Sequence, residues 1–204
     1  MNKKELTDSL YFRHACKLFD EEKKISSEDL RFILEAGRLS PSSFGMEPWN
    51  FIVVQSQEFK EKIRPACWDQ PQITTCSDLL IITAKVDAPA RKAYYEKMFS
   101  RREMPQEMLE KYLAVYQNYI DGMHSVYGWS ARQCYIAAAN MMSYAAMIGV
   151  DSCPIEGFEK ENLEEVLGLN TTKEQVALVV ALGYRVNEPG EKMRLPFDEV
   201  VSFR

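Results

Sequence analysis

Three stretches of this chain are almost free of polar residues, and their lengths separate strands from helix. Residues 79–85 (LLIITAK) and 176–184 (VALVVALGY) are short and rich in β-branched residues, a pattern that predicts strands buried on both faces. Residues 129–148 are longer, rich in Ala and Met, and apolar nearly all round their later turns, which predicts a helix with partners on several sides. Amphipathic spacing marks another helix. Leu30, Ile33, Leu34 and Gly37 recur at i, i+3, i+4 and i+7, with Ser26 or Ser27 as the cap, Ser26 and Asp29 as a capping pair, and an end near Ser40. Residues 51–55 read as a short strand and 59–66 as a helix. A charged excursion from about 87 to 128, broken by Pro105, predicts an exposed helical lid. From about 187 to 204 the period fades around Pro189, Gly190 and Pro196, and the chain ends on a strand-like VVSF. Helices alternating with strands predict an α/β or α+β sandwich around one sheet, with residues 1–204 forming a single domain.

Composition narrows the function. With 204 residues and 46% hydrophobic content, the chain can bury a substantial core. A net charge of −5 gives no general attraction to nucleic acid or an anionic membrane. Five scattered cysteines without a Cys-x-x-Cys pair, beside only two histidines, read as reduced thiols in a cytoplasmic protein and predict no metal site. The N-terminal MNKKELTDSL has no apolar core behind its basic residues, so it is not read as a signal peptide. Residues 133–150 lack charge, but Gln133, Asn140, Ser143 and Gly149 dilute them, which favours a buried helix over a membrane span. No Gly-x-Ser-x-Gly elbow, Walker loop or Gly-x-Gly-x-x-Gly turn occurs, so neither a hydrolase nor a kinase is indicated.

Four segments could carry chemistry. Residues 40–54 (SPSSFGMEPWNFIVV) end a helix, turn through a hydroxyl-rich loop of Pro41, Ser42, Ser43 and Gly45, and enter a strand; an ordinary connection has the same composition. Arg13, Lys17, Lys192 and Arg194 are cations in loop-like segments, which can converge on an anion but can equally be solvated surface charge. In residues 153–158 (CPIEGF), Gly157 permits close approach of backbone to a flat ligand, and Glu156 is better read as backbone than as a general acid. His14 and Cys16 lie two residues apart, and the segment is read as a poor thiol and imidazole pair.

Taken in order, these segments resemble the FMN-dependent nitroreductase family, and in particular its oxygen-insensitive NAD(P)H nitroreductase and dihydropteridine-reductase-like branch. The matching residues are Arg13-His14 with Lys17, Ser40-Pro41-Ser42-Ser43 with Pro48-Trp49, the Trp129, Gln133 and Tyr135 pattern, Pro154-Ile155-Glu156-Gly157-Phe158, and Lys192 with Arg194. The resemblance implies an α+β fold with a central mixed sheet surrounded by helices, and a homodimer with two FMN sites at the subunit interface, embraced by the C-terminal tail. By position, Arg13, Lys192 and Arg194 would hold the phosphate, with His14 and Ala15 beside them. Lys17 would lie near the pyrimidine edge of the ring. Asp69, Gln70 and Gln72 would contact ribityl and ring polar atoms, and Glu156 and Gly157 would face flavin N5 through backbone groups, with Pro154 and Ile155 also among the cofactor-binding residues. Pro41, Ser42, Ser43 and Gly45 would reach across from the partner chain. Tyr116 and Tyr119, with Tyr127, fall in the excursion that covers the substrate channel, where helix packing is the competing role.

The chemistry so implied is a ping-pong cycle. NAD(P)H gives hydride to flavin N5, and a nitroaromatic, quinone or similar acceptor then takes the electrons. Catalysis would fall to Lys17, Glu156 and Gly157, with no side-chain nucleophile, no metal, no nucleic acid and no membrane. Ala15 stands where serine is usual, Gly45 where asparagine is, Glu47 where glutamine is, and Gln72 where some members have lysine. Those departures leave a non-catalytic flavin-binding or flavin-sequestering protein as the alternative, and a helical interaction protein as a third reading.

Overall fold

The computed structural model of the chain describes residues 2–204. Four strands, β1 (Trp49–Val54), β2 (Asp78–Lys85), β3 (Asp151–Ile155) and β4 (Glu174–Gly183), form one sheet in the order β1-β2-β4-β3. Every strand pair is antiparallel, so the expected mixed sheet is corrected; the one parallel pairing among the described residues is the isolated bridge of Ala15 with Ser152. Because β2 and β3 each oppose β4, they run the same way. They do not pair because the last strand inserts between them.

Helices cover both faces. These are α1 (Lys3–Phe12), α2 (Ser27–Arg38), α3 (Gln57–Ile63), α4 (Gln72–Thr75), α5 (Lys92–Phe99), α6 (Gln106–Asp121), α7 (Val126–Met147), α8 (Lys160–Val166) and the short α9 (Phe197–Val200). The two-residue period of β2 sends Leu79 and Ile81 into a core with α3 and α8, and Leu80 and Ile82 into a core with α2 and α7. Continuous apolar runs therefore belong here to an antiparallel sheet covered on both sides. Ser26 caps α2, accepting from Asp29 N at 3.0 Å and donating to Asp29 Oδ2 at 2.8 Å, as the sequence predicts. Gly37 lets α2 close on α7: a Cβ there would meet Met141 Sδ at 2.6 Å.

Three local expectations change. The sequence pattern does not predict β3; Pro154 lies within this edge strand, where a missing N–H is tolerated. The excursion is not merely an exposed lid. Tyr95, Phe99, Tyr116 and Ile120 are buried with Met46 and Trp129 in a third apolar cluster. The terminal VVSF forms no strand; Val200 closes α9, and Phe203 stands 88% exposed. Among the described residues no helix is long and apolar enough to cross a membrane.

Candidate functional site

The site is organised along β3, the sheet edge that faces the chain's N-terminal and C-terminal segments. The Ala15–Ser152 bridge, with Cys16 N donating to Ser152 O at 3.1 Å, lays residues 13–17 beside β3. Behind them Asp151 accepts from the Arg185 guanidinium at 2.7 and 2.9 Å, and Arg185 lies 4.0 Å over the Phe12 ring. This buried pair locks α1 to the strand ends, and His14 turns its Nδ1 toward the same Asp151, at 3.7 Å.

At that edge the tail folds back, and Lys192 Nζ donates to the carbonyls of Leu10 and Arg13. The result is an open cleft of about 510 Å³ whose lining includes Arg13, His14, Ala15, Pro154, Lys192 and Arg194. Glu191 also lines this cleft, as its one carboxylate. Burial first, then repulsion from Arg13 and Arg194, lowers the Lys192 pKa below the usual lysine value. Three cations drawn together against that single carboxylate make a receptor for an anion.

Beyond Pro154 the strip continues inward. Lys17 Nζ lies 3.5 Å from Cys153 Sγ, and Gln72, only 1% exposed, directs Nε2 to the same sulfur at 4.0 Å and to Gln70 Oε1 at 2.8 Å. Gln70 Nε2 donates to Gly157 O at 2.8 Å. Burial raises the Cys153 pKa while Lys17 opposes the shift. Gly157 lies under the Trp68 indole, and a Cβ there would come within 2.7 Å of the ring. Trp68 is exposed and held by Nε1 donating to Glu159 Oε1 at 2.7 Å; it and Asp69 both adopt left-handed φ, 54° and 52°. Strain in two successive non-glycine residues is the kind that gathers at ligand sites. The sequence signal for Trp68 was an aromatic next to Asp69, and it was not singled out.

The remaining candidates divide. Glu156 points its carboxylate outward, where Tyr135 donates to it at 2.6 Å, and burial together with this contact raises the Tyr135 pKa. Ile155 is buried in the core, so only its backbone can face a ligand. Tyr116 is fully buried, donates to Pro89 O at 3.0 Å and packs on Tyr95, Phe99 and Trp129, which places it in the helix-packing role. Tyr119 is half-exposed and lies against Phe44.

The hydroxyl loop is ordered from below by α7: Ser43 N donates to Gln133 Oε1 at 2.9 Å, and Asn140 Nδ2 donates to Ser40 Oγ at 2.8 Å. Ser42 Oγ accepts from Glu47 N, and Phe44, Gly45 and Glu47 all take positive φ. Pro41 is exposed, and none of Pro41, Ser42, Ser43 or Gly45 lines the cation cleft of its own chain.

Such an α+β sandwich, with a cationic cleft and a polar strip along one sheet edge, defines a class of small-ligand-binding proteins. The Nitroreductase family model matches residues 10–184, and the chain belongs to that family. It is 40% identical to the Bacillus subtilis protein named "Putative NAD(P)H nitroreductase YfkO", over 98% of both chains. A Staphylococcus epidermidis structure described as a "putative NAD(P)H:FMN oxidoreductase" superposes with a TM-score of 0.83 at 28% identity, covering 98% of this chain and 95% of that one. An Exiguobacterium sibiricum nitroreductase structure, "in complex with FMN", shares the fold with a TM-score of 0.83 at 24% identity, covering 100% and 98%.

Proposed function

We propose that this protein is a cytoplasmic FMN-dependent oxidoreductase using NAD(P)H, active as a homodimer. The convergence of Arg13, Lys192 and Arg194 on one cleft, against the single carboxylate of Glu191, carries this reading, because a phosphate monoester matches that donor set. The donor set fits FMN beyond its phosphate as well: Lys17, Gln70 and Gln72 form a polar strip that runs to the Gly157 peptide. Bound flavin would supply the redox chemistry, passing electrons from NAD(P)H to a nitroaromatic, quinone or similar acceptor in two half-reactions.

The chain's own residues have separate tasks. Arg13, Lys192 and Arg194 bind the anion; Lys17 sets a positive charge beside the polar strip, where negative charge develops on a reduced ring; Gln70 fixes the Gly157 peptide. Trp68 shields one side of that peptide from water. The dimer reading rests on two features. Apolar side chains stand exposed on α1, α7 and the tail, including Tyr11, Tyr135, Ile136, Leu195 and Phe203. The hydroxyl loop also lies off its own chain's cleft, so it is free to serve a neighbour's.

Anaerobic mixing with NADH or NADPH tests the proposal. The bound flavin should bleach, and Lys17→Ala should slow the bleaching while retaining flavin. A preparation that holds FMN but is not bleached by either nicotinamide would instead be a flavin-sequestering protein.

A further inference from the structure

The hydroxyl loop is held from above as well as below. Arg102 Nη2 donates to Phe44 O at 2.8 Å, and Arg101 Nη2 reaches Gly45 O at 3.3 Å and Glu47 Oε1 at 2.8 Å. Tyr94 of α5 donates to Met46 O at 2.8 Å, and Lys85 Nζ reaches Glu47 O at 3.3 Å. Four successive carbonyls, 44 to 47, thus receive donors from β2 and the excursion. Two of these residues, Phe44 and Glu47, are non-glycines in left-handed backbone, a conformation that persists only where its surroundings enforce it. Gly45 makes room for the device: its φ is +68°, and a Cβ there would meet Arg102 Nη2 at 2.7 Å. Phe44, Gly45 and Glu47 thus all meet these arginines.

We propose that Arg101 and Arg102 are positioning residues: a clamp by which the excursion holds the 41–47 loop in its ligand-meeting conformation, with Gly45 and Glu47 as its receiving half. The clamp rests on the flavin reading for its purpose, but its effect on the loop is independent of that reading. The Arg101–Glu47 ion pair is half-exposed and contributes little alone. The bonds to carbonyls that the loop's own backbone leaves unpaired carry the hold. Loop order and excursion order are therefore coupled, and a ligand that orders one should order the other.

Hydrogen exchange at the Gly45, Met46 and Glu47 amides, followed with and without FMN, tests this on the full chain. In Arg101→Ala/Arg102→Ala these amides should exchange about tenfold faster, as expected where local opening governs exchange, while those of β2 and β4 stay unchanged. Gly45→Asn, which displaces the Arg102 guanidinium, should accelerate the same amides. Arg101→Lys, which keeps the charge opposite Glu47, should restore part of the protection relative to Arg101→Ala. The FMN dissociation constant of the double variant should rise about tenfold, mostly through faster release. Unchanged loop exchange in the double variant would overturn the clamp, whatever the flavin result. Faster loop exchange in a chain that never binds FMN would support the clamp and count against the flavin reading alone.

Discussion

An arginine or lysine on an open cleft can turn charged donors to an anion, and Arg13, Lys192 and Arg194 share one, with Lys192 already steadied by the carbonyls of Leu10 and Arg13. Charge-assisted hydrogen bonds contribute about 1.5–3 kcal/mol each. Arg13→Ala or Arg194→Ala should therefore weaken FMN binding about ten- to a hundredfold, read by flavin fluorescence quenching, with the fold intact by circular dichroism. The lysine adds a pH signature. Burial, then repulsion from the two arginines, lowers its pKa, so it gives up its charge earlier than an ordinary lysine as pH rises. FMN affinity should fall as pH rises, at a lower pH than an ordinary lysine would give, and Lys192→Arg should remove that fall. Gly157 is the steric counterpart of these charges. Gly157→Ala would push its Cβ into the Trp68 ring, shifting the indole fluorescence and destabilising the fold by about 1–3 kcal/mol.

The contact between α2 and α7 shows how one small residue sets an element's position. Gly37→Ala would force its methyl against Met141 in the core, and urea unfolding should show a loss of about 1–3 kcal/mol with an unchanged denaturant slope. At this scale the sequence was legible wherever periodicity was strong. Leu79 to Ala84 and Val176 to Leu182 announced β2 and β4, Leu30 and Ile33 announced α2, and the Ala and Met run announced α7. β3 was not legible, because five residues beginning Asp151-Ser152 and containing Pro154 show neither alternation nor a long apolar run. Their strand character comes from pairing with β4, a tertiary effect. The buried packing of Tyr116 is hidden for the same reason: an amphipathic helix does not reveal which neighbour covers it. The Arg101 and Arg102 contacts were invisible, since they join residues more than fifty positions apart across a loop whose left-handed backbone only the fold reveals.

Across the molecule the candidate site draws on the first seventeen residues, the middle of the chain and the tail. The order of its motifs was therefore a better guide than any motif alone. The buried thiols give the whole fold a pH limit. Burial raises Cys16 to about 11 and Cys67, Cys76 and Cys134 to about 12, against 9.0 when unfolded. Above pH 9 the unfolded chain loses protons that the folded one retains, so stability falls as pH rises from there toward 12. Urea midpoints should drop steadily above that point, and less steeply in Cys134→Ala. The central claim is that a cationic cleft on each chain, completed by a neighbour, holds FMN. Sedimentation of the purified chain with FMN, followed at the flavin absorbance, tests it most directly. The account predicts flavin moving with a species of twice the 23.6 kDa chain mass, one FMN per chain. Flavin left at the meniscus above a protein boundary would contradict it.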